Sequence, residues 1–453
     1  MMENTKYNYL HFVRFSNLVN WSVSHLLGIN MGFTHRFPMV NIGSVIERCK
    51  TMIDIDDSTQ YKQITLKTNG GGAVLRDLKF GKDIGTKKQF VVSSDQFIMS
   101  KIDARNGAFG IVSEDLIGAV VTGDFPVFDV DKEKLNPSYL QLLSSTKPFI
   151  RFAQSCSRGT TNRQRIDVKQ FLNMQIPLPS LEEQNAIVAD YKDSILMAEQ
   201  YEQRAAKINK SIETYLLEEL GLNKTQSTQK HVKNNYKYLH FANNKDLSDR
   251  WDIYNVTNSI FSMLKHAKYP IVSMGVAYNF VTRTWRKIGE TFPYVELGDV
   301  SPLYGITKSQ TLATNKAPSR ATQTIQTNDL IIGTTRPYLK RFAIVTDEYA
   351  NSVCSSGFQV IAPDARYNLH FLYEFLMTEV ATKQFEYYMT GALYPAITNK
   401  DLQKIQIPLP PLDLQNEIVA HIKVLKEQIK SLRSLADTTR TAAIKQFEQT
   451  IFE

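Results

Sequence analysis

Cysteine is scarce: Cys49, Cys156 and Cys354 are the three in 453 residues, and no two stand at a CxxC spacing. Neither a disulfide framework nor a cysteine zinc site is indicated, and a reducing cytoplasm is the expected compartment. The eight histidines form no HxH or HxxxH pair, so metal ligation is not expected. No GxxxxGK[ST] phosphate loop and no GxGxxG fingerprint occurs, which leaves nucleotide chemistry without a motif. No apolar run reaches the roughly 18 residues of a membrane span, and Met1 to Tyr9 is polar; neither a span nor a secretory signal is expected.

What is present is ordinary globular material, 43% apolar and 22% charged, in a chain long enough for two or more cored domains. The formal net charge of +8 permits a polyanionic partner without requiring one.

The chain is organised by a repeat. Ile176-Pro177-Leu178-Pro179-Ser180-Leu181 followed by Glu182-Glu183-Gln184-Asn185-Ala186-Ile187-Val188 recurs as Ile407-Pro408-Leu409-Pro410-Pro411-Leu412 followed by Asp413-Leu414-Gln415-Asn416-Glu417-Ile418-Val419. Proline lacks a donor and fixes φ, so each motif closes an extended segment, and the acids behind it suit the positive end of a starting helix. Tyr9-Leu10-His11-Phe12 answers Tyr238-Leu239-His240-Phe241, Trp21 answers Trp251, and Phe37 to Gly43 answers Tyr269 to Gly275. Near-constant offsets at four anchors predict two copies of one domain.

Inside the first copy, Gln63 to Leu66 alternates, Gly70-Gly71-Gly72 marks a flexible turn, and the basic polar run Arg76 to Lys88 reads as loops. Phe90-Val91-Val92, Asp95 to Met99, Ala108 to Val112 and Phe125 to Val130 read as strands, as do Asp329 to Ile332, Phe342 to Val345 and Phe358 to Ile361 in the second. Helical spacing follows from Pro137 to Phe152 and from Asn368 to Tyr388, and these helices are expected to pack on the sheets.

Behind each proline motif runs a long helical pattern, the first from about Leu181 to Leu220 and roughly 60 Å if continuous. Val188, Tyr191, Ile195, Ala198, Ala205 and Ile212 form its seam, interrupted by Glu202 and Asn209, whose polar side chains would help fix register. In the second helix Ile418, Ile422, Leu425, Ile429, Leu432 and Ala436 recur at heptad spacing. Such seams need a partner, and pairing the two helices antiparallel within one chain is the economical solution. The expected class is therefore α+β: a two-fold tandem repeat of mixed strand-rich domains separated by two long antiparallel coiled-coil helices. The boundaries read as 1–180 (first domain), 181–221 (first helix), 222–236 (polar linker), 237–411 (second domain) and 412–453 (second helix).

Chemistry-bearing candidates are few. Asn136-Pro137-Ser138-Tyr139 resembles the Asn-Pro-Pro-Tyr motif of amino-methyltransferases, where such a site holds a flipped base. It opens a helix here, lacks a glycine-rich companion, and faces Tyr367-Asn368-Leu369 in the second copy. Basic, aromatic-flanked segments remain: Lys79, Lys82, Lys87, Lys88, Lys101, Arg105, Arg158, Arg163 and Arg165 in the first domain; Arg283, Arg286, Lys287, Arg320, Arg336, Lys340 and Arg341, with Tyr394, in the second. Each alone reads as solvated surface; as a set on two related domains they point to DNA, because long cationic side chains neutralise phosphates and arginine can grip guanine.

The doubled Ile-Pro-Leu-Pro motif with its Gln and Ile-Val, the long helix behind each copy, the Gly391 to Ile397 loop with its Pro395 and Ile397, and divergent domain interiors together resemble the specificity subunits of type I restriction-modification enzymes, over essentially the whole chain. The first copy's loop, Gly159 to Arg163, lacks the Pro-x-Ile element. The resemblance implies that each globular unit is a target recognition domain reading half of a split double-stranded DNA site. The helices would set the spacer and dock two methyltransferase subunits, with two restriction/translocase subunits in systems that carry them. It also implies a non-catalytic chain holding no cofactor, S-adenosylmethionine serving the methyltransferase partner and ATP and Mg the nuclease partner. A non-DNA coiled-coil scaffold and the recognition subunit of a related type II system are the alternatives left open.

Overall fold

The computed structural model describes residues 36–158, 165–222, 264 and 266–452. The anchors at Tyr9, Trp21, Tyr238 and Trp251, the polar linker 222–236 beyond Leu222, and the loop 159–164 lie outside the described residues. The chain divides into two compact units, Met1–Tyr201 with Ser434–Glu453, and Glu202–Arg433, so each long helix contributes to both.

In the first unit the strand Met39–Asn41 pairs antiparallel with Gln175–Pro177, Val40 opposite Ile176. In the second, Ile271–Ser273 pairs with Gln406–Pro408, Val272 opposite Ile407. The proline motif thus ends a two-stranded ribbon in both units, its rigid φ ending the strand where the helix must begin.

Each unit also carries the same antiparallel four-stranded sheet. Its order is Ile46–Arg48, Val127–Val130, Phe97–Met99, Phe109–Ile111 in the first and Asn279–Val281, Phe358–Ala362, Leu330–Gly333, Phe342–Ile344 in the second. A second sheet repeats as well: Ala73–Phe80, Gln60–Leu66, Val120–Val121, Lys88–Val91 and Met52–Asp54 correspond in order to Gln310–Ala313, Thr291–Val295, Val353–Ser355 and Ala321–Thr324. A lone bridge from Thr284 to Gln323 stands where the first unit has its fifth strand.

The basic run Arg76 to Lys88, read from sequence as loops, is instead partly strand. Ala73–Phe80 pairs with Gln60–Leu66 over its whole length and forms the sheet's free edge. An edge strand half-exposed on both faces shows no clean alternation, and charge along it hinders pairing with other chains. The triple glycine is also packed, not free: Asn69 and Gly70 donate to Asn106 O and Gly107 O at 2.7 and 3.0 Å. A Cβ on Gly70, which has φ +73°, would stand 2.4 Å from Ser145 Cβ.

Helices Pro137–Ser144 and Lys147–Ser155 bury Tyr139, Leu140, Leu143, Phe149 and Phe152 on the first sheet, among the rings of Phe97, Phe109, Phe128 and Phe171. Leu369–Leu376 and Glu379–Tyr388 do the same in the second unit with Phe371, Phe375 and Phe385 around Phe342.

The long helices run Leu181–Glu219 and Leu412–Phe452. In the first unit Val188 shares a core with Phe447 and Ile451; in the second, Tyr215 packs its ring 4.4 Å from that of His421. The start of one helix therefore meets the end of the other, which is the antiparallel order. The second seam follows its heptad, with Ile418, Ile422, Ile429 and Ala436 buried. The first departs from expectation: Glu202 and Asn209 are exposed, and Tyr201 and Ile208 take the inward positions beside Ala198, Ala205 and Ile212. A one-residue shift in phase keeps the apolar side chains inward, so those polar residues do not set the register. No helix among the described residues is long and apolar enough to cross a membrane.

Candidate nucleic-acid interface

The frame that presents the loops is held by one arrangement made twice. Asn136 caps its helix by accepting from Ser138 N and Tyr139 N, and its own backbone N–H donates to Gln184 Oε1 at 2.8 Å. Gln184, fully buried, donates through Nε2 to Lys134 O and Pro179 O at 2.9 and 2.8 Å. Asn368 caps its helix likewise and donates to Gln415 Oε1 at 2.9 Å, while Gln415 Nε2 donates to Pro410 O at 2.8 Å. Asn136 and Asn368 also reach Asn185 and Asn416 with their side-chain amides. The Asn-Pro-Ser-Tyr segment is thus a helix cap and clasp, and the Tyr139 hydroxyl is spent on Pro177 O at 3.0 Å.

At the end of the four-stranded sheet the chain after the second sheet-packing helix folds back on the strand exit. In the first unit Ser157–Arg158 pairs with Arg165–Ile166, and Ile166 N donates to Lys101 O at 2.9 Å. In the second Thr390 bridges Ala396, and Ile397 N donates to Thr334 O at 2.9 Å. The described ends of the two segments dock alike, and the residues between those ends differ in type.

In the second unit backbone hydrogen bonds lead from one basic residue to the next. Trp285 N donates to Thr322 O, which sets exposed Arg286 and Lys287 alongside Arg320; Ser356 N donates to Arg320 O at 2.7 Å; Thr334 N donates to Gly357 O at 2.8 Å; and Arg336 N donates to Pro395 O at 2.7 Å. Arg341 O accepts from Gly333 N at 3.0 Å. Arg286, Lys287, Arg320, Arg336, Arg341 and Tyr394 are thereby gathered at connected loops. Cys354, in the strand leading there, is buried and its thiol is pushed up to about 12 by desolvation, with Asp329 adding to the shift, so it stays protonated at neutral pH.

Two candidates are committed elsewhere. Arg283 grips Asp329, which is fully buried, with both terminal nitrogens, the longer bond 3.1 Å. Lys340 donates to Met377 O at 2.6 Å, where a cation complements the end of helix Leu369–Leu376. Both make contacts inside the fold, where a buried carboxylate and a part-buried helix end take up their charge.

In the first unit Lys101, Arg105, Arg158 and Arg165 lie at the loop end; Arg165 pairs with Asp124 at 3.0 Å, and Arg105 O accepts from Gln154. Lys79 and Lys88 lie in strands of the second sheet, and Lys82 and Lys87 in the connection between those strands. Lys79 sits 3.5 Å from Asp77, Lys87 pairs with Asp57 and donates to Gly81 O, and Lys88 opens the strand matching the one that Arg320 precedes. Arg163 lies outside the described residues. Leu393, which reads from sequence as a core residue, is instead exposed between Gly391 and Pro395.

A family model described as the type I restriction modification DNA specificity domain matches residues 39–210 and again 265–437. The putative type I restriction enzyme MjaX specificity subunit of Methanocaldococcus jannaschii is 25% identical over 309 residues, 67% of this chain and 64% of that protein. The type I restriction enzyme EcoDI specificity subunit of Escherichia coli is 31% identical over 99 residues, 22% of this chain and 21% of that protein. The chain thus matches less than two thirds of the length of either. A solved structure from work on complex assembly and conformational transition of the type I R-M system aligns with a TM-score of 0.55 at 20% identity, covering 92% of this chain and 98% of that one, a likeness of fold.

Proposed function

Because the chain belongs to the type I restriction modification DNA specificity family, with the domain present twice, we propose that it is the specificity subunit of such an enzyme, each unit reading half of a split double-stranded DNA target. The observation that carries this is one frame built twice with unlike loops on it. The Asn136–Gln184 and Asn368–Gln415 clasps and both sheet orders repeat, while Arg158 to Arg165 and Thr390 to Ala396 differ in residue type. A split site with two different halves requires unlike base-contacting loops on a shared support.

The chain performs no bond chemistry in this reading. The paired helices set the spacer and dock two methyltransferase subunits, which supply methyl transfer from S-adenosylmethionine to adenine. Where restriction/translocase subunits join, they supply ATP- and Mg-dependent cleavage. The basic loops hold the duplex through phosphates, so association falls steeply with salt.

Co-expression with the methyltransferase encoded nearest to this chain, followed by genome-wide mapping of N6-methyladenine, tests the assignment. A split motif that disappears when this chain is deleted is the expected result. A soluble complex that produces no new methylation and shows no salt-dependent binding to DNA would replace it with a protein-binding scaffold.

A further inference from the structure

The loop 390–397 is a stiff projection with an apolar tip. Thr390 and Ala396 exchange two backbone hydrogen bonds of 2.9 Å, Arg336 N donates to Pro395 O, and Ile397 N to Thr334 O. Gly391 closes the turn at φ +105°, a conformation strained for any residue with a side chain. Ile397 anchors the loop at 3% exposure, whereas Leu393 and Tyr394 stand 82% and 72% exposed. Scattered surface leucines are common; one held at the tip of a loop pinned by four backbone hydrogen bonds has a fixed direction.

Positive charge stands beside this tip. Arg336 lies against Tyr394 and Leu393, Arg341 follows in the same segment, and neither 331–346 nor 389–400 holds an acid. A phosphate-lined groove suits an apolar point with a cationic collar. Arg336 lies over the Tyr394 ring at 4.9 Å and donates through Nη2 to Leu393 O at 3.0 Å, while its Nε is buried. A guanidinium so placed lacks the free fork of a bidentate guanine contact. It braces the tip and contributes its charge.

We propose that Leu393 is a wedge: the tip enters a groove of the target duplex and Leu393 presses into a base step, unstacking it, with Arg336 as a positioning residue behind it. This rests on the DNA-reading function and adds how part of the sequence is read. Apolar side chains inserted at base steps kink the duplex, and the cost depends on the step, least at TA and CA/TG. The second unit's half-site therefore favours a flexible pyrimidine–purine step at the wedge position.

The test uses the full chain with its methyltransferase subunits and a duplex carrying the mapped half-site, with 2-aminopurine placed in turn at positions other than the methylated adenine. Fluorescence is expected to rise on binding at one step, the rise lost in Leu393→Ala and kept in Leu393→Met. Arg336→Ala is expected to lose the rise without relaxing base preference at any position. Sequence-specific binding with no rise anywhere, or with a rise unchanged in Leu393→Ala, overturns the wedge alone. Relaxed base preference in Arg336→Ala with the rise intact makes Arg336 a base reader and overturns its bracing role. Failure to bind any sequence specifically overturns both the wedge and the DNA-reading function.

Discussion

Asn136 donates its backbone N–H to Gln184 Oε1 across 48 residues, and Asn368 does the same to Gln415 across 47. Each glutamine is fully buried and turns its amide nitrogen back to the proline strand beneath it. One side chain in each unit therefore joins the start of a long helix, the end of the proline ribbon and the cap of the first sheet-packing helix.

Gln184→Ala strands Asn136 N and two carbonyl oxygens in a buried place, and the loss is expected to be about 2–4 kcal/mol, since each unsatisfied buried group costs about 1–3. Gln415→Ala should cost a comparable amount. Denaturant unfolding of each variant measures it; a loss under about 0.5 kcal/mol would show that the clasp does not hold the helix.

Arg283 and its neighbours separate structure from binding. Arg283→Ala leaves fully buried Asp329 without its cation, the Gln326 N–H still donating to it, and is expected to destabilise by about 3 kcal/mol. The double variant Arg286→Ala, Lys287→Ala removes two exposed cations and should leave stability within about 0.5 kcal/mol while lowering the salt-dependence slope of DNA binding by about 2. An unchanged slope would remove both from the interface.

Glu374 is buried beneath Lys426, whose Nζ stands 2.6 Å from Oε1. Desolvation holds its carboxyl above the usual 4.5, against the pull of Lys426. The folded chain thus keeps this proton more tightly than the unfolded one, so the stabilisation is complete below pH 4.5 and is lost as pH rises through the raised value. Glu374→Gln cannot titrate, so melting temperatures from pH 4 to 8 should shift in the variant's favour as pH rises. A shift toward the wild type would mean the ion pair outweighs burial.

The seams of the long helices predict spacer length. One heptad inserted into each helix adds about 10 Å, the rise of about 3 base pairs. The methylated motif should then lengthen its unread spacer by up to that amount; methylation of the original spacing would reject the ruler.

The repeat, the strands around Phe97 and Phe358, and the second helix's seam were legible because each is a local pattern: proline spacing, β-branched and aromatic runs, heptad steps. The Arg76 to Phe80 strand was not, because its partner is Gln60–Leu66 and its edge position blurs alternation. The first helix's phase was misread at Glu202 and Asn209 because a 3.5-residue seam can slip by one residue, and only a facing helix decides which side chains turn inward.

Sequence by itself determined that this is a doubled domain with long helices, since motif order and periodicity are carried by the chain. Tertiary structure alone decided which cations remain available. Arg283 and Arg286 are alike in charge and three residues apart, yet only a fold that buries Asp329 beside Arg283 can commit one to structure and leave the other exposed. Burial and partner geometry, not residue type, divide the cations held in the scaffold from those left exposed.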